Sequence, residues 1–254
     1  MRILFILIFF LVFPFQGYSF ERIVSLSPAI TDIIEYVGAG DKLIGTTIFS
    51  KHKSEKVGGI INPNLEKIYS LHPDLVIASN LTPKSFITKL QTLGIKTMVF
   101  RLISLKDIEN AIEKIGNTLH GNGKIKKEEF RKNLLILAKE LKSCLNKKKV
   151  VIIISYRPLF IAGNKSFIGE ILSLSGAKVL FNVSFKPISN ERLLSAKPEI
   201  AILPARRERL KEVESFLKKF KITTVKVSQD NLLHPSPRIL KGLKEIEEKV
   251  CKSY

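Results

Sequence analysis

The chain carries one short pattern twice, LEKIYSLHPDLVI at residues 65–77 and NERLLSAKPEIAI at residues 190–202. In each copy an acidic residue opens a short helical segment. A proline followed by a second acidic residue then leads into an apolar run that is typical of a buried strand. A weaker similarity relates GIKTMV at residues 94–99 to KITTVK at residues 221–226. The repetition predicts two similar α/β halves within one chain.

Strands and helices alternate around both copies of the pattern. In the first half, the predicted strands are residues 22–26, 42–46, 75–78 and 97–101, and the predicted helices are residues 28–37, 65–71, 82–93 and 105–119. In the second half, the predicted strands are residues 150–155, 178–181, 199–203 and 223–227, and the predicted helices are residues 166–175, 191–196 and 206–220. Ser27-Pro28 and Ser236-Pro237 each have the form of a serine N-cap before a helix-starting proline, and the second pair is predicted to open the last helix. The alternation favours mostly parallel sheets covered by helices.

One long amphipathic helix is predicted between the halves. Apolar side chains recur at every third or fourth position of residues 124–145, at Phe130, Leu134, Leu137, Leu141 and Leu145. The sequence therefore predicts an α/β protein of two similar Rossmann-like lobes joined by one long rigid α-helix, with a ligand cleft between the lobes. The predicted limits are residues 20–121 for the N-terminal lobe, 122–148 for the linking helix and 149–254 for the C-terminal lobe.

The first residues predict an export signal. Arg2 precedes an unbroken apolar run over residues 3–13, and small residues follow at Gly17 and Ser19. The run is shorter than the ~20 residues of a membrane-spanning helix. We therefore expect residues 1–19 to be a signal peptide, cleaved near Ser19 to release a periplasmic protein. In that oxidising compartment Cys144 and Cys251 can form a disulfide, and two unrelated thiols near helix ends are the alternative.

The chain is strongly basic, with a formal net charge of +19. A basic balance often indicates a nucleic-acid partner, but export argues against that class of partner. Lysine runs such as residues 147–149 are typical of a solvated surface. The alternative interpretation is attraction of the lysines to an anionic ligand or to a membrane surface. Of the two interpretations, the solvated surface is favoured.

Motifs that would support catalysis are missing from the sequence. It contains no Gly-x-Ser-x-Gly motif, and GNKS at residues 163–166 lacks the remainder of a phosphate-binding loop. The four histidines, His52, His72, His120 and His234, have no paired spacing for a metal ion. We therefore predict no catalytic residue and no metal site. His234 lies in a loop that should open towards the cleft, although a loop histidine more often faces solvent.

Four stretches carry a resemblance to a known family: RIVSLSPA at residues 22–29, NLEKI at residues 64–68, LHPDLVIA at residues 71–78 and SPRI at residues 236–239. They resemble the periplasmic receptors for cobalamin, haem and iron siderophores, above all the vitamin B12 receptors. The resemblance implies two α/β lobes joined by a long helix. It also implies that a glutamate on each lobe, Glu66 and Glu191, docks onto arginines of an ABC permease in the inner membrane. Stabilisation of a helix N-terminus is the alternative role for either glutamate.

The resemblance also implies a ligand. Vitamin B12 receptors line the cleft with tryptophans and a tyrosine, whereas this chain has no tryptophan and has Phe49 where that tyrosine would stand. The residues expected to contact the ligand are Ser27, Phe49, Tyr156, Arg157 and His234. For Tyr156 and Arg157, core packing and a charge at the rim are the alternatives.

Together these features predict a monomeric ABC-importer substrate-binding protein that is not an enzyme and has no intrinsic cofactor. The expected ligand is a cobalt or iron chelate. Cobalamin or a related corrinoid is the first choice, and an iron siderophore or haem is the alternative. A secreted enzyme on the same scaffold and a basic adhesion protein are the other function classes that we considered.

Overall fold

A computed structural model of the chain describes residues 20–205 and 210–252. The predicted signal peptide, residues 1–19, and the start of the predicted helix 206–220 lie outside the described residues. Within the described ranges, no helix combines the length and the apolar character that a membrane span requires.

The first lobe is a five-stranded parallel sheet flanked by helices. Its strands are β1 (Ile23–Ser25), β2 (Leu43–Thr46), β3 (Glu55–Lys56), β4 (Leu75–Ser79) and β5 (Thr97–Phe100), in the spatial order β3-β2-β1-β4-β5. Its helices are α1 (Pro28–Tyr36), α2 (Leu65–Ser70), α3 (Lys84–Thr92) and α4 (Leu105–Leu119), with a short 3₁₀ turn at Gly40–Lys42. Central strands β1 and β4 are fully buried, as their continuous apolar runs predict for a parallel sheet covered on both faces.

The linking helix is α5 (Gly123–Leu145), which begins one residue before the predicted amphipathic stretch 124–145 and ends with it. Its apolar stripe from Phe130 to Leu145 is buried and packs against α4. The same apolar cluster includes Ile23 of the first sheet and Ile152 of the second. The helix therefore belongs to one continuous core that runs through both lobes, and it is not an exposed rod between them.

The second lobe has a mixed sheet. Its strands are β6 (Lys149–Tyr156), β7 (Leu159–Ala162), β8 (Lys178–Val179), β9 (Phe185–Pro187), β10 (Ile200–Pro204) and β11 (Thr223–Val227), in the order β11-β10-β6-β7-β9 with β8 beside β6. Its helices are α6 (Phe167–Leu174), α7 (Asn190–Ser195), α8 (Leu210–Lys219), α9 (Gln229–Leu233) and α10 (Ile239–Val250). Strand β7 runs antiparallel to both β6 and β9, so this sheet is not a copy of the first.

The repeated pattern folds into the same unit in both lobes, α2–β4 and α7–β10. In each unit the second acidic residue accepts backbone hydrogen bonds at the entry of the neighbouring central strand. Asp74 accepts from the N–H groups of Glu21 and Arg22 at 2.7 and 3.1 Å, and Glu199 accepts from that of Lys149 at 2.9 Å. The pattern thus ties β4 to the start of β1, and β10 to the start of β6.

Equivalent residues of the repeat also share an unusual backbone conformation. His72 and Lys197, which occupy the same place in the two copies, have φ values of 46° and 49°. Gly94 and Lys221, the first residues of the two weakly similar segments, have φ values of 78° and 56°. Positive φ is uncommon for residues other than glycine. The recurrence of positive φ at matched positions confirms that the sequence similarity between the two halves reflects a similar structure and is not a coincidence of composition.

Two predicted helix starts differ in detail from the structure. Ser27 is the N-cap of α1, but its hydroxyl makes no capping bond. The prediction that Ser236-Pro237 opens the last helix is wrong by two positions, because α10 begins at Ile239 after the N-cap Arg238. The hydroxyl of Ser236 donates instead to Asp32 of α1 at 2.9 Å, so it joins the two lobes.

Candidate ligand-binding cleft

A cavity of about 340 Å³ lies between the lobes, at the carboxyl ends of the strands of the first sheet. The first lobe contributes the loops that follow β1, β4 and β5, through residues 27–29, 79–81 and 102–103. The second lobe contributes Phe167, Phe185 and residues 233–235. Crevices at the carboxyl ends of parallel strands are where α/β proteins bind ligands.

The walls of the cavity are mostly apolar. Phe167 is buried at the start of α6, whereas Phe185 on β9 and Leu81 after β4 are 37% and 62% exposed. The polar side chains in the lining are those of Ser27, Ser79, Asn80 and His234. The hydroxyl of Ser79 is buried without a hydrogen-bond partner among the described residues. A concave apolar site with a few polar groups is typical of small-molecule binding.

His234 is held in the lining by a buried carboxylate of the opposite lobe. Its Nδ1 lies 3.3 Å from Oδ2 of Asp32, which belongs to α1 and has a side chain only 9% exposed. The same carboxylate accepts hydrogen bonds from the Ser236 hydroxyl and from two guanidinium nitrogens of Arg238, the Nε one at 3.0 Å. We call these four residues the Asp32 cluster. The cluster fixes the segment that follows α9 against the first lobe.

The charges of the Asp32 cluster reinforce one another. Burial raises the pKa of Asp32, but the hydrogen bonds and positive charges of His234 and Arg238 outweigh that effect, so its pKa lies below the ordinary value. The hydrogen bond from Arg238 to Asp32 raises the pKa of the guanidinium in turn. The carboxylate is therefore ionised at neutral pH, and the side chains of His234, Ser236 and Arg238 surround it as hydrogen-bond partners.

The structure brings only two of the five predicted contact residues into the cavity lining, Ser27 and His234. Phe49 is 60% exposed in the turn after β2, where its ring lies beside Gly59, the neighbour of the cavity-lining residue Ile60. Phe49 therefore lies near the cavity lining but does not belong to it.

Tyr156 and Arg157 lie outside the cavity lining. The ring of Tyr156 packs on Phe216 with a centroid separation of 5.8 Å, next to the second apolar cluster of the C-terminal lobe. Nε of Arg157 lies 3.1 Å from a carboxylate oxygen of Glu212, and the arginine side chain is 76% exposed. Both residues lie at the β6–β7 turn, since Tyr156 is the last residue of β6 and Arg157 follows it directly.

The two predicted docking glutamates occupy equivalent exposed positions. Glu66 lies in the first turn of α2 and Glu191 in the first turn of α7. Each follows a side chain that caps its helix, Asn64 in the first lobe and Ser189 in the second. In each helix one backbone N–H of the first turn, that of Lys67 in α2 and that of Arg192 in α7, is therefore bonded to the cap side chain and not to the glutamate.

Cys144 and Cys251 are joined in the structure by a disulfide, with their Cα atoms 5.3 Å apart. Cys144 lies in the last turn of α5, and Cys251 is the C-cap of α10. The bridge therefore connects the linking helix to the end of the second lobe.

The sequence profile of the periplasmic binding protein family matches residues 23–222, which include the first sheet, the linking helix and the second sheet except β11. The chain belongs to this family. The vitamin B12-binding protein of Yersinia pseudotuberculosis serotype O:3 (strain YPIII) is 25% identical over 253 residues, which cover 95% of this chain and 89% of the relative.

Solved periplasmic binding proteins share the fold of this family member. The vitamin B12-binding protein BtuF of Vibrio cholerae superposes with a TM-score of 0.72 at 24% identity, over 94% of this chain and 100% of that one. A periplasmic haem-binding protein from Pseudomonas aeruginosa gives a TM-score of 0.78 at 20% identity, over 92% of this chain and 93% of that one. These likenesses confirm the predicted α/β fold with two sheet-containing lobes.

Sequence reasoning missed several cavity residues of this periplasmic binding protein, namely Ser79, Asn80, Phe167 and Phe185, and it missed Asp32 as well. For Asp32 a signal was present. It interrupts the apolar segment PAITDII, residues 28–34, on a helix whose other residues are largely buried. A charged residue on such a face requires a partner. For Phe185 no comparable signal exists, because the short strand β9 is exposed along its whole length.

Proposed function

We propose that this chain is the exported substrate-binding component of an ABC importer, and that it delivers a metal-chelate nutrient to a membrane permease. In this proposal it captures the chelate and catalyses no reaction. The observation that carries the proposal is the apolar cavity at the strand ends, built by loops of both lobes. A ligand in that position contacts both lobes at once, so its binding favours one arrangement of the two lobes relative to each other. A permease would recognise that arrangement.

Cobalamin or a related corrinoid is the proposed ligand, and haem or an iron siderophore is the alternative. The vitamin B12-binding relative supports the first choice, and the haem-binding structural neighbour supports the alternative. The cavity volume of about 340 Å³ is at the lower end of the ~300–1,000 Å³ that small-molecule sites occupy. A large chelate would therefore extend beyond this volume, and Leu81 in the lining and Phe49 near it offer exposed apolar side chains.

Docking onto the permease is assigned to Glu66 and Glu191, one per lobe. Both are exposed acids in a chain of formal net charge +19. Charge-assisted pairs with arginines would fix the orientation of the receptor, because a carboxylate and a guanidinium form strong directional hydrogen bonds. The same proposal places the protein in the periplasm as a monomer after cleavage near Ser19. The Cys144–Cys251 bridge fits that oxidising compartment.

Titration calorimetry of the protein purified from the periplasm tests the proposal. Cyanocobalamin, ferric haem and a ferric siderophore are added in parallel to the same preparation. Tight one-to-one binding of cyanocobalamin supports the corrinoid assignment. Binding of another chelate alone keeps the transport function and changes the substrate. Failure to bind any of the three contradicts the proposed function.

A further inference from the structure

We propose that the second lobe binds the surface of an anionic phospholipid membrane through a cluster of lysines at the amino ends of its strands. The partner is the phosphate-bearing lipid surface, and the contact with it is peripheral and reversible. This inference goes beyond the proposed function, because it does not depend on which chelate the cavity holds.

The topology of the second sheet gathers the lysines at one edge. Strands β8, β6, β10 and β11 run parallel to one another, so their amino ends meet at the same edge. Lys149 at the start of β6 is in register with Lys178 at the start of β8. The N–H of Glu199 bonds to the carbonyl of Lys149 at 2.9 Å, and the N–H of Thr223 bonds to that of Glu199 at 3.0 Å. The segments that enter these strands hold eight exposed lysines, which we call the lysine edge: Lys147, Lys148, Lys149, Lys178, Lys197, Lys218, Lys219 and Lys221.

Little negative charge accompanies the lysine edge. Glu199 is the acidic residue of the entering segments 146–149, 176–178, 197–199 and 218–222. Its carboxylate lies 2.9 Å from the ammonium group of Lys148 and also accepts the backbone N–H of Lys149. An excess of ammonium groups on one exposed face attracts an anionic surface. Each lysine close to such a surface strengthens binding about fivefold.

The first lobe shows that the shared fold does not require these lysines. With Gly94 matched to Lys221, the residues QTLG at 91–94 stand where the second lobe has KKFK at 218–221. His72 occupies the place of Lys197. Four lysines of the lysine edge therefore have no lysine or arginine at the matching position of the first lobe, although both lobes contain the same helix–strand unit.

The backbone gives an independent reason to assign a role to the ammonium groups. Lys147, Lys197 and Lys221 have φ values of 61°, 49° and 56°. Glycine adopts this region without steric cost, whereas a residue with a Cβ atom is disfavoured there. The first lobe has glycine at the place of Lys221. Lysine at these three positions thus stabilises the fold less than glycine would, and a binding role for the charge explains its presence.

Two exposed apolar side chains favour a lipid surface over a soluble polyanion. Phe220 lies within the run 218–221 and is 50% exposed, and Leu174, the last residue of α6, is 46% exposed. The carbonyl of Gly176 accepts the N–H of Lys147 at 2.8 Å, which brings the end of α6 to the lysine edge. Lysines combined with phenylalanine and leucine are typical of protein surfaces that lie on a membrane, because the apolar side chains enter the lipid interface.

The lysine edge and the cavity lie at opposite ends of β11. The cavity residues 233–235 follow the carboxyl end of β11 through α9, whereas the lysines precede the amino ends of β11 and its neighbours. A membrane that is bound at the lysine edge therefore leaves the cavity open to water. Contact with lipid and capture of the chelate should be independent of each other.

Co-sedimentation with lipid vesicles tests the inference on the protein purified from the periplasm. Vesicles of phosphatidylglycerol mixed with phosphatidylcholine should bind the protein, and vesicles of phosphatidylcholine alone should not. Added salt should weaken the binding steeply, because salt screens interactions between exposed charges.

A triple variant, Lys147→Gly with Lys197→Gly and Lys221→Gly, tests the lysine edge itself. Its affinity for the anionic vesicles should fall about a hundredfold. Its midpoint of thermal unfolding should not fall, because glycine suits the backbone at all three positions. The matched control removes three exposed lysines of the first lobe and should bind as the wild type does: Lys84→Gln, Lys89→Gln and Lys106→Gln. The corresponding asparagine triple variant serves if the glycine variant does not fold, since asparagine also tolerates positive φ.

The choice of a lipid partner has its own test, the double variant Leu174→Ser with Phe220→Ser. Its affinity for anionic vesicles should fall about tenfold, because two apolar side chains no longer enter the lipid interface. Its binding to soluble polyglutamate should equal that of the wild type, since all eight lysines remain.

Three results would overturn the inference. Failure of the wild-type protein to bind anionic vesicles would exclude the membrane surface as its partner. Equal losses in the glycine variant and its matched control would show that the overall charge, and not the lysine edge, attracts the lipid. Binding to polyglutamate as tight as that to vesicles, with no effect of the double variant, would identify the partner as a soluble polyanion. Each result leaves the proposed capture of a chelate intact, because none of these variants changes a residue of the cavity lining.

Discussion

The two lobes share one helix–strand unit, yet they build different sheets. In both lobes an acidic residue ties the unit to the central strand, and matched residues take positive φ. The first sheet is wholly parallel, whereas the second has the antiparallel strands β7 and β9. Strand β9 carries Phe185 into the cavity, and the segment after α9 carries His234. The shared parts maintain the fold, whereas β9 and the segment after α9 contribute to the second lobe's side of the cavity.

The largest expected effect concerns the shared docking positions. Charge reversal of both glutamates, Glu66→Arg with Glu191→Arg, should abolish uptake while ligand affinity stays unchanged, because the two residues lie outside the cavity lining. Uptake by whole cells and calorimetry on the purified variant provide the two measurements. Each single reversal shows whether the lobes contribute equally. Glu248→Arg, an exposed change on α10, is the control, and unchanged uptake in the double variant would refute the docking assignment.

The second effect concerns the contacts that hold the lobes together. Asp32→Ala leaves Arg238 partly buried without its carboxylate, and this should lower the free energy of unfolding by about 3 kcal/mol. Asp230 makes another ion pair between the lobes, with Lys51 at 2.7 Å, but the Lys51 side chain is 75% exposed. Asp230→Ala should therefore cost less than about 1 kcal/mol. Urea unfolding compares the two variants, and equal losses would show that burial of the Asp32 cluster is unimportant.

The third effect concerns the strand that only the second lobe possesses. Phe185→Ala removes an aromatic wall of the cavity and should weaken ligand binding about tenfold, corresponding to roughly 1.4 kcal/mol. The free energy of unfolding should change little, because the side chain is 37% exposed. Phe220→Ala is the control, since Phe220 is 50% exposed and lies outside the cavity lining. Equal affinity of the wild type and Phe185→Ala would remove β9 from the ligand site.

The smallest effect concerns the acidic residue of the second repeat. The backbone N–H of Lys149 and the side chain of Lys148 hold the pKa of Glu199 below its ordinary value. A lowered pKa in the folded state stabilises the protein above the ordinary pKa of about 4.3, and the stabilisation is lost as the pH falls through the lowered pKa. Glu199→Gln should therefore cost less than about 1 kcal/mol at pH 7 and close to nothing at about pH 3.

Unfolding curves of Glu199→Gln and the wild type at the two pH values measure this difference. Glu248→Gln, with an exposed carboxylate, is the control. A difference between wild type and Glu199→Gln that grows as the pH falls would contradict the assigned sign.

Periodicity explains which elements the sequence predicts well. Helix α5 repeats its apolar residues from Phe130 to Leu145, so the amphipathic stretch 124–145 could be predicted to within one residue of the helix. Strands β3 and β9 have two and three residues, and α9 has five, which is too short for any period to show. The predicted strand 178–181 ends early, because β8 stops at Val179 and Phe181 has a φ of 69°.

The ligand site was only partly predictable, because local order does not determine tertiary pairing. Ser27 was expected from the resemblance to the receptor family and His234 from its loop, and the structure places both in the cavity lining. Tyr156 and Arg157 were also expected at the cleft, but in the structure they contact Phe216 and Glu212 and lie outside the cavity lining. Asp32 was missed because its partners lie more than two hundred positions along the chain. The limits of the lobes and the role of each site residue stay predictions.

The disulfide constrains the chain of the second lobe but not that of the first. It closes a ring of chain between Cys144 and Cys251, a separation of 107 positions that contains the entire second sheet. The first sheet lies outside that ring on an open chain. In the chain-entropy model such a ring restricts the unfolded second lobe by about 4–5 kcal/mol and leaves the unfolded first lobe unrestricted. A single protease cut between Cys144 and Cys251 would leave the two fragments covalently joined by the disulfide. A cut in the first lobe would give two fragments with no covalent bond between them.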